Sequence, residues 1–143
     1  MKDSTRINMV APCGIDCALC ELYIAGQDEK LRQILLSKGI PAESIPCAGC
    51  RSVQGKCPVI RGECKTWQCV ETRKVQYCYE CPDFPCDKLH PSANRADVLP
   101  HNMKIYNLCT IKRIGVENFI IQSPGIKKRY YAGKMDIGNG PQL

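Results

Sequence analysis

Apolar positions recur at helical spacing in only a few parts of this chain. Leu31, Ile34 and Leu35 fall at i, i+3 and i+4, the spacing of one helix face, within a stretch from Glu21 to Ile40 that Gly26 interrupts. Asp28-Glu29 at the start of this helix and Lys38 near its end suit the dipole. Ser37-Lys38-Gly39-Ile40-Pro41 then predicts a stop, with Gly39 just past the helix and Ile40 as its apolar partner. A second pattern runs from Asp97 to Arg113 and puts Ile105, Leu108 and Cys109 on one face. Gly115 breaks it, and Val116, Phe119 and Ile120 carry a short further helix up to Ser123-Pro124-Gly125. Cys109 lies inside the apolar stripe and is expected to be a buried core thiol, because free cysteine is among the most buried residue types.

Elsewhere the pattern is polar, and glycine, proline and cysteine punctuate it. Asp16 is a fair N-cap for a helix starting at Cys17, which would set Cys17 and Cys20 on one face while Gly14 turns Cys13 toward them. Cys64 to Cys69 reads as one helical turn, with Trp67 packed over a site. Phe84-Pro85-Cys86 predicts a helix start, since proline favours a first helical position, and Cys86 would sit at its positive end. His90 follows Cys86 by four and could face the same point, although a surface position is the plainer reading. Beyond Ile126, Lys127, Lys128, Arg129 and Lys134 stand beside Tyr130 and Tyr131. That mixture can bind single-stranded nucleic acid, but a solvated tail is commoner. Gly138-Asn139-Gly140-Pro141 reads as disordered.

Composition explains how so polar a pattern could fold. The chain has 143 residues, with one Trp and two Phe but 12 Cys. A thin apolar core with many thiols points to covalent or metal staples. The N-terminus is polar and resembles no signal peptide, and no stretch approaches a membrane span. A cytoplasmic setting follows, where thiol clusters serve metal or redox chemistry rather than disulfides. A disulfide-rich secreted protein is the alternative. The formal charge of +6 suggests nucleic acid at first. However, eight thiolates holding two divalent ions would change it by about −4 and remove most of that argument.

Four thiol groups carry the candidate chemistry: Cys13, Cys17 and Cys20; Cys47 and Cys50; Cys64 and Cys69; and Cys78, Cys81 and Cys86. In the last group two prolines stiffen a loop that can aim three sulfurs at one point. Cys47-Ala48-Gly49-Cys50 has knuckle spacing, in which backbone amides point at the sulfurs and Gly49 tolerates a left-handed turn. A thioredoxin-like dithiol would need a preceding strand and a following helix, and Pro46 and Gly55 flank the motif instead. The spacing of Cys13, Cys17 and Cys20 is also that of radical S-adenosylmethionine enzymes, whose barrel is far larger than this chain. Cys57 lies off the tighter pairs and reads as a spare thiol. No nucleophile elbow, phosphate loop or H-E-x-x-H occurs, so the chain reads as a binding protein rather than an enzyme. Asp16, Glu80 and Asp83 are explained by capping and turns.

With these residues in view, the chain resembles a bacterial and archaeal family of cysteine-rich proteins catalogued as a domain of unknown function. The matching pieces are Cys13-Gly14-x-x-Cys17-x-x-Cys20, Cys47-x-Gly49-Cys50, Cys64 with Cys69, Cys78-x-Glu80-Cys81-x-x-Phe84-Pro85-Cys86, and Ile114-Gly115-Val116-Glu117. They span roughly residues 10–122. The resemblance implies a small soluble metal-binding protein with no activity to carry over. Many members of that family have a further cysteine pair near the C-terminus, where this chain has its basic, Tyr-rich stretch. Cys57 and Cys109 fall outside the family pattern.

The expected fold is a small metal-stabilised α-rich domain, irregular α+β at most. Short helices and cysteine knuckles would surround two thiolate sites, with a C-terminal helical segment. Residues 1–122 would form the domain, with the cluster at 13–86 and helical support at 97–122, and 123–143 a basic, partly disordered tail. About two zinc ions per chain are the first expectation for the ten cysteines, because tetrahedral thiolate sites commonly hold small folds together. [4Fe–4S] clusters are the alternative, since their ligands also come in triplets and Cys81-Pro82 matches a Cys-Pro of such runs. Three functions follow: a zinc-structured interaction module with a protein partner, nucleic acid being the weaker partner class; an iron–sulfur electron carrier or redox accessory; and a thiol metal carrier or sensor with Cys57 as its labile group.

Overall fold

The computed structural model describes residues 3–90 and 101–143. It is helix-rich: α1 (Ser4–Asn8), α2 (Glu21–Ile24), α3 (Glu29–Ser37), α4 (Lys65–Arg73), α5 (His101–Ile114) and α6 (Val116–Ala132). Single 3₁₀ turns lie at Cys17–Leu19, Ala42–Ser44, Cys78–Glu80 and Asp87–Leu89, and a two-stranded sheet pairs β1 (Lys134–Asp136) with β2 (Gly140–Gln142). Among the described residues no helix is long and apolar enough to cross a membrane.

Local signals set most of the early elements. Asp3 caps α1 by accepting from the Thr5 and Arg6 amides. The chain then folds back through an antiparallel bridge between Val10 and Asp16, closing the loop that carries Cys13. α2 ends where expected, at Gly26, and the reason is spatial: a Cβ there would lie 2.7 Å from the Pro46 ring. α3 starts on Asp28, whose carboxylate accepts from the Leu31 amide at 3.0 Å. It ends in a Schellman turn, with Gly39 at φ +86° and its amide on Leu36 O (3.0 Å), and the Ile40 amide on Leu35 O (3.2 Å). The predicted stripe is rotated, however. Leu31, Leu35, Leu36 and Ile40 pack toward Leu22, Ala25 and Ile45, while Ile34 is exposed. Arg32 helps set this rotation by donating to Ile45 O at 3.0 Å.

α5 and α6 form the main support, joined at Gly115. The predicted start of the first helix at Asp97 lies outside the described residues. Its inward face carries Met103, Asn107, Leu108, Thr110 and Ile111. Cys109 is therefore corrected from buried to exposed: at 100° per residue it points opposite the Asn107–Ile111 arc. Leu108, Ile111 and Phe119 join Val10, Tyr77 and Leu89 in the larger apolar cluster.

The predicted stop at Ser123-Pro124-Gly125 is also corrected. α6 runs through Pro124 to Ala132, although an interior proline costs about 3 kcal/mol. Ser123 Oγ stands 3.0 Å from Ile120 O, the carbonyl that the missing proline N–H would have served. Ile120 and Ile126, on either side of the proline, both pack on the larger cluster. Tertiary burial thus overrides the local break. Residues 126–132, read from the sequence as the start of a tail, belong to α6. Gly138 to Pro141 turn a hairpin in which Met135 pairs with Pro141, and the Asn139 amide donates to Asp136 O at 2.9 Å.

Candidate functional site

The cysteine segments are held as loops against the two apolar clusters. Cys13 leads into Gly14, at φ +90°, where any Cβ would meet Leu108 Cγ at 3.0 Å and Lys104 O at 3.1 Å, so the loop lies flush on α5. Asn107 Nδ2 ties it down through Gly14 O at 2.9 Å. The expected helix from Cys17 is a single 3₁₀ turn with Asp16 as its cap, and Cys20 is already extended. The knuckle docks through the Cys47 amide on Leu22 O (3.0 Å), and Gly49, at φ +95°, lies under the Met9 side chain. Trp67 covers the Gly55 backbone, where a Cβ would stand 2.4 Å from the indole. This agrees with its expected packing role. The Cys78 amide bonds Pro12 O at 2.9 Å, which brings the last triplet beside Cys13.

Two neighbourhoods of sulfur result. Cys17, Cys20, Cys47, Cys50, Cys57 and Cys64 lie close enough to perturb one another's ionisation. Cys69, Cys78, Cys81 and Cys86 line a single pocket between α4 and the 78–89 segment. Cys13 acts on Cys17 and Cys50 in the first and on Cys78 in the second. All twelve cysteines are free thiols in this structure, with no two sulfurs joined as a disulfide. Among the described residues no group of three or more Cys, His, Asp or Glu side chains is placed to hold a metal ion, so the two expected thiolate sites are not seen and the sulfurs are neighbours only.

Several of these sulfurs accept hydrogen bonds. The Trp67 amide donates to Cys64 Sγ at 3.4 Å, and the Asp83 amide to Cys81 Sγ at 3.4 Å. Backbone amides of Cys50, Leu22 and Val59 serve Cys17, Cys20 and Cys57. Such donors favour the thiolate. Burial acts the other way and dominates: the Cys17 and Cys78 thiols are pushed up to about 12, and those of Cys20, Cys50 and Cys57 are raised, with neighbouring thiols adding to the effect. Without a cation these groups stay protonated at neutral pH.

Two sequence readings change here. Cys86 does not begin a helix: it is extended, follows a cis Phe84–Pro85 bond and precedes only the Asp87–Leu89 turn, so no helix dipole acts on it. His90, beyond that turn, is exposed, in line with its plainer reading as a surface residue. Cys57, read as spare, instead sits among Cys47, Cys20 and Cys64.

Sequence reasoning also missed three arginines. Arg6 grips Asp16 through both terminal nitrogens (2.8 and 2.5 Å). Arg73 donates to Cys81 Sγ at 3.0 Å and to Asp83 Oδ2 at 2.5 Å. Arg51, next to the knuckle, donates to Val10 O at 2.9 Å and Gln76 O at 2.8 Å, with its guanidinium 4.9 Å from the Tyr77 ring centre. It is the clamp between three cysteine-bearing segments. Arg51→Ala is expected to lower stability by about 2–3 kcal/mol in urea unfolding. Arg51→Lys should recover less than half of this, because one ammonium cannot span the same acceptors. Only its position beside Cys50 hinted at such a role.

A family model described as a protein of unknown function (DUF3795) matches residues 9–91. That range takes in every cysteine except Cys109. No curated protein and no solved structure matches the chain.

Proposed function

The chain belongs to the DUF3795 family of proteins of unknown function, and from that premise we propose that it is a cysteine-rich metal-binding module whose loops are held by thiolate-bound zinc. The observation that carries this reading is the gathering of eleven unpaired thiols, from the cysteine loops and from α4, into two adjoining neighbourhoods. Soft sulfur donors in this number suit zinc or iron–sulfur chemistry. The amides and the Arg73 guanidinium aimed at the sulfurs are the outer-shell donors that thiolate centres use. Cys20, Cys47, Cys57 and Cys64 would supply one four-thiolate set, and Cys69, Cys78, Cys81 and Cys86 another. Bound ions would supply folding free energy where the two small apolar clusters leave the loops unsupported. The stiffened loops then serve as a surface for a protein partner.

The test is metal analysis with a visible spectrum on anaerobically purified protein. Colourless protein with about two zinc ions per chain is expected, zinc being d¹⁰ and redox-silent. A brown protein holding iron and inorganic sulfide would replace this reading with iron–sulfur electron transfer. Metal-free protein that remains folded would overturn both.

A further inference from the structure

The first cysteine loop, α5 and α6 enclose an open cleft of about 450 Å³, counting its mouth. Small-molecule sites span about 300–1,000 Å³. Ile15, Leu19, Met103 and Ile126 make the walls largely apolar. Exposure sets the depth: Asn107, 4% exposed, lies at the inner end, and Tyr131, 48% exposed, at the rim.

Most polar groups here are already paired. Asp16 accepts from Arg6, the Ala18 amide and Ser123 Oγ. Lys127 donates to Leu19 O and to Glu21 Oε1, the latter at 3.0 Å. Asn107 is the exception. Its Nδ2 donates to Gly14 O at 2.9 Å, which fixes the amide's orientation and leaves Oδ1 as an acceptor. That oxygen is buried and has no hydrogen-bond partner among the described residues. Buried polar groups are nearly always paired, so an orphan at the bottom of a cleft calls for an occupant.

We infer that the cleft binds a small, uncharged aromatic molecule, which places one O–H or N–H donor on Asn107 Oδ1 and its apolar body between the walls. The donor is needed because an acceptor closed off from water stays unpaired unless the occupant serves it. Charge is excluded because Asp16 and Lys127 already hold their counter-ions in Arg6 and Glu21, and a further buried ion would have none. At the rim, Tyr131 offers its ring to an aromatic body. Occupancy here needs no bound metal.

Phenol, toluene and benzylamine are probes of similar size at neutral pH: a donor, its isostere with methyl in place of hydroxyl, and a cation. Titration of the full chain as purified, followed by its amide resonances, is expected to show saturable phenol shifts centred on Ile15, Asn107 and Ile126. Toluene, although the more apolar, should bind at least about fivefold more weakly, and benzylamine at least about tenfold. Leu19→Trp, which fills the cleft from its wall, should abolish the phenol shifts. Asn107→Leu should make toluene the tighter of the two, and Leu19→Trp keeps the test decisive if that variant does not fold. Toluene or benzylamine binding as tightly as phenol, phenol shifts that survive Leu19→Trp, or no saturable shift at all would overturn the inference. Metal content, measured separately, decides the metal-binding reading whichever way this experiment falls.

Discussion

If zinc is bound as proposed, stripping it with a strong chelator under anaerobic conditions is expected to abolish the cooperative thermal unfolding of this protein. Structural zinc in small thiolate sites binds with an apparent free energy of about 10–16 kcal/mol, comparable to or larger than the whole stability of a typical domain. Here the apolar alternative is modest. One cluster centres on Leu22, Ala25 and Ile45, the other on six residues that include Leu108 and Phe119. Neither cluster contains any described buried residue between Arg51 and Trp67. Amide resonances of the cysteine loops should therefore collapse on chelation, with those of α5 and α6 persisting longest.

The pH signature should reverse at the same time. In the metal-free chain the Cys17 and Cys78 thiols are pushed up to about 12 from an ordinary 9.0. As long as the metal-free chain keeps these thiols buried, the unfolded chain ionises first, and the stability these groups confer, full below about pH 9, is lost as pH rises toward 12. In the zinc form each thiolate has already given up its proton, so acid rather than alkali releases the ion and unfolds the chain. An unchanged melting temperature in chelator would show that the apolar clusters suffice alone.

Asp16→Ala is expected to cost about 3–5 kcal/mol, because it strands a charge partner in a largely buried pair. The carboxylate is 4% exposed. It accepts two bonds from Arg6, one from the Ala18 amide at 3.2 Å, and one from Ser123 Oγ at 2.6 Å. One side chain thus joins α1, the first cysteine loop and the proline-containing turn of α6. Removal would leave the Arg6 guanidinium, 26% exposed, without its counter-charge. Urea unfolding measures the loss. A double-mutant cycle with Ser123→Ala should show coupling of at least about 0.5 kcal/mol, since the two share a hydrogen bond. Additive effects would mean that Asp16 acts only as a local cap. Asp16→Asn, which keeps the shape and loses the charge, is expected to fall between.

Local chemistry was legible wherever a residue acts on its own neighbours along the chain. The Asp28 cap, the Gly39 stop and the Asp16 cap are short-range effects, decided by backbone geometry within a few residues. Reading failed where distant segments compete for the same residue. Pro124 should end a helix, yet Ile120 and Ile126 on either side of it gain burial. Cys109 was read on one apolar stripe with Ile105 and Leu108, which do pack on the larger cluster, but Gly14 and Asn107 fix α5 so that Cys109 itself faces out. Cys57 looked spare because spacing ranks cysteines by sequence distance, whereas thiols that act on it, Cys47, Cys20 and Cys64, come from three other places in the chain.

By itself the sequence determined that this is a small helix-rich cysteine protein of its family, with which residues its loops turn, and that its free thiols far outnumber its aromatic core residues. Those properties follow from residue type and from torsional preferences that act over one or two turns. Only the tertiary structure decided which sulfurs are neighbours, which of them pack on apolar side chains and which lies beside Arg73. Such proximity arises when α5, α6 and three arginines draw separate loops together, and no spacing along the chain encodes the distance between two loops that meet in space.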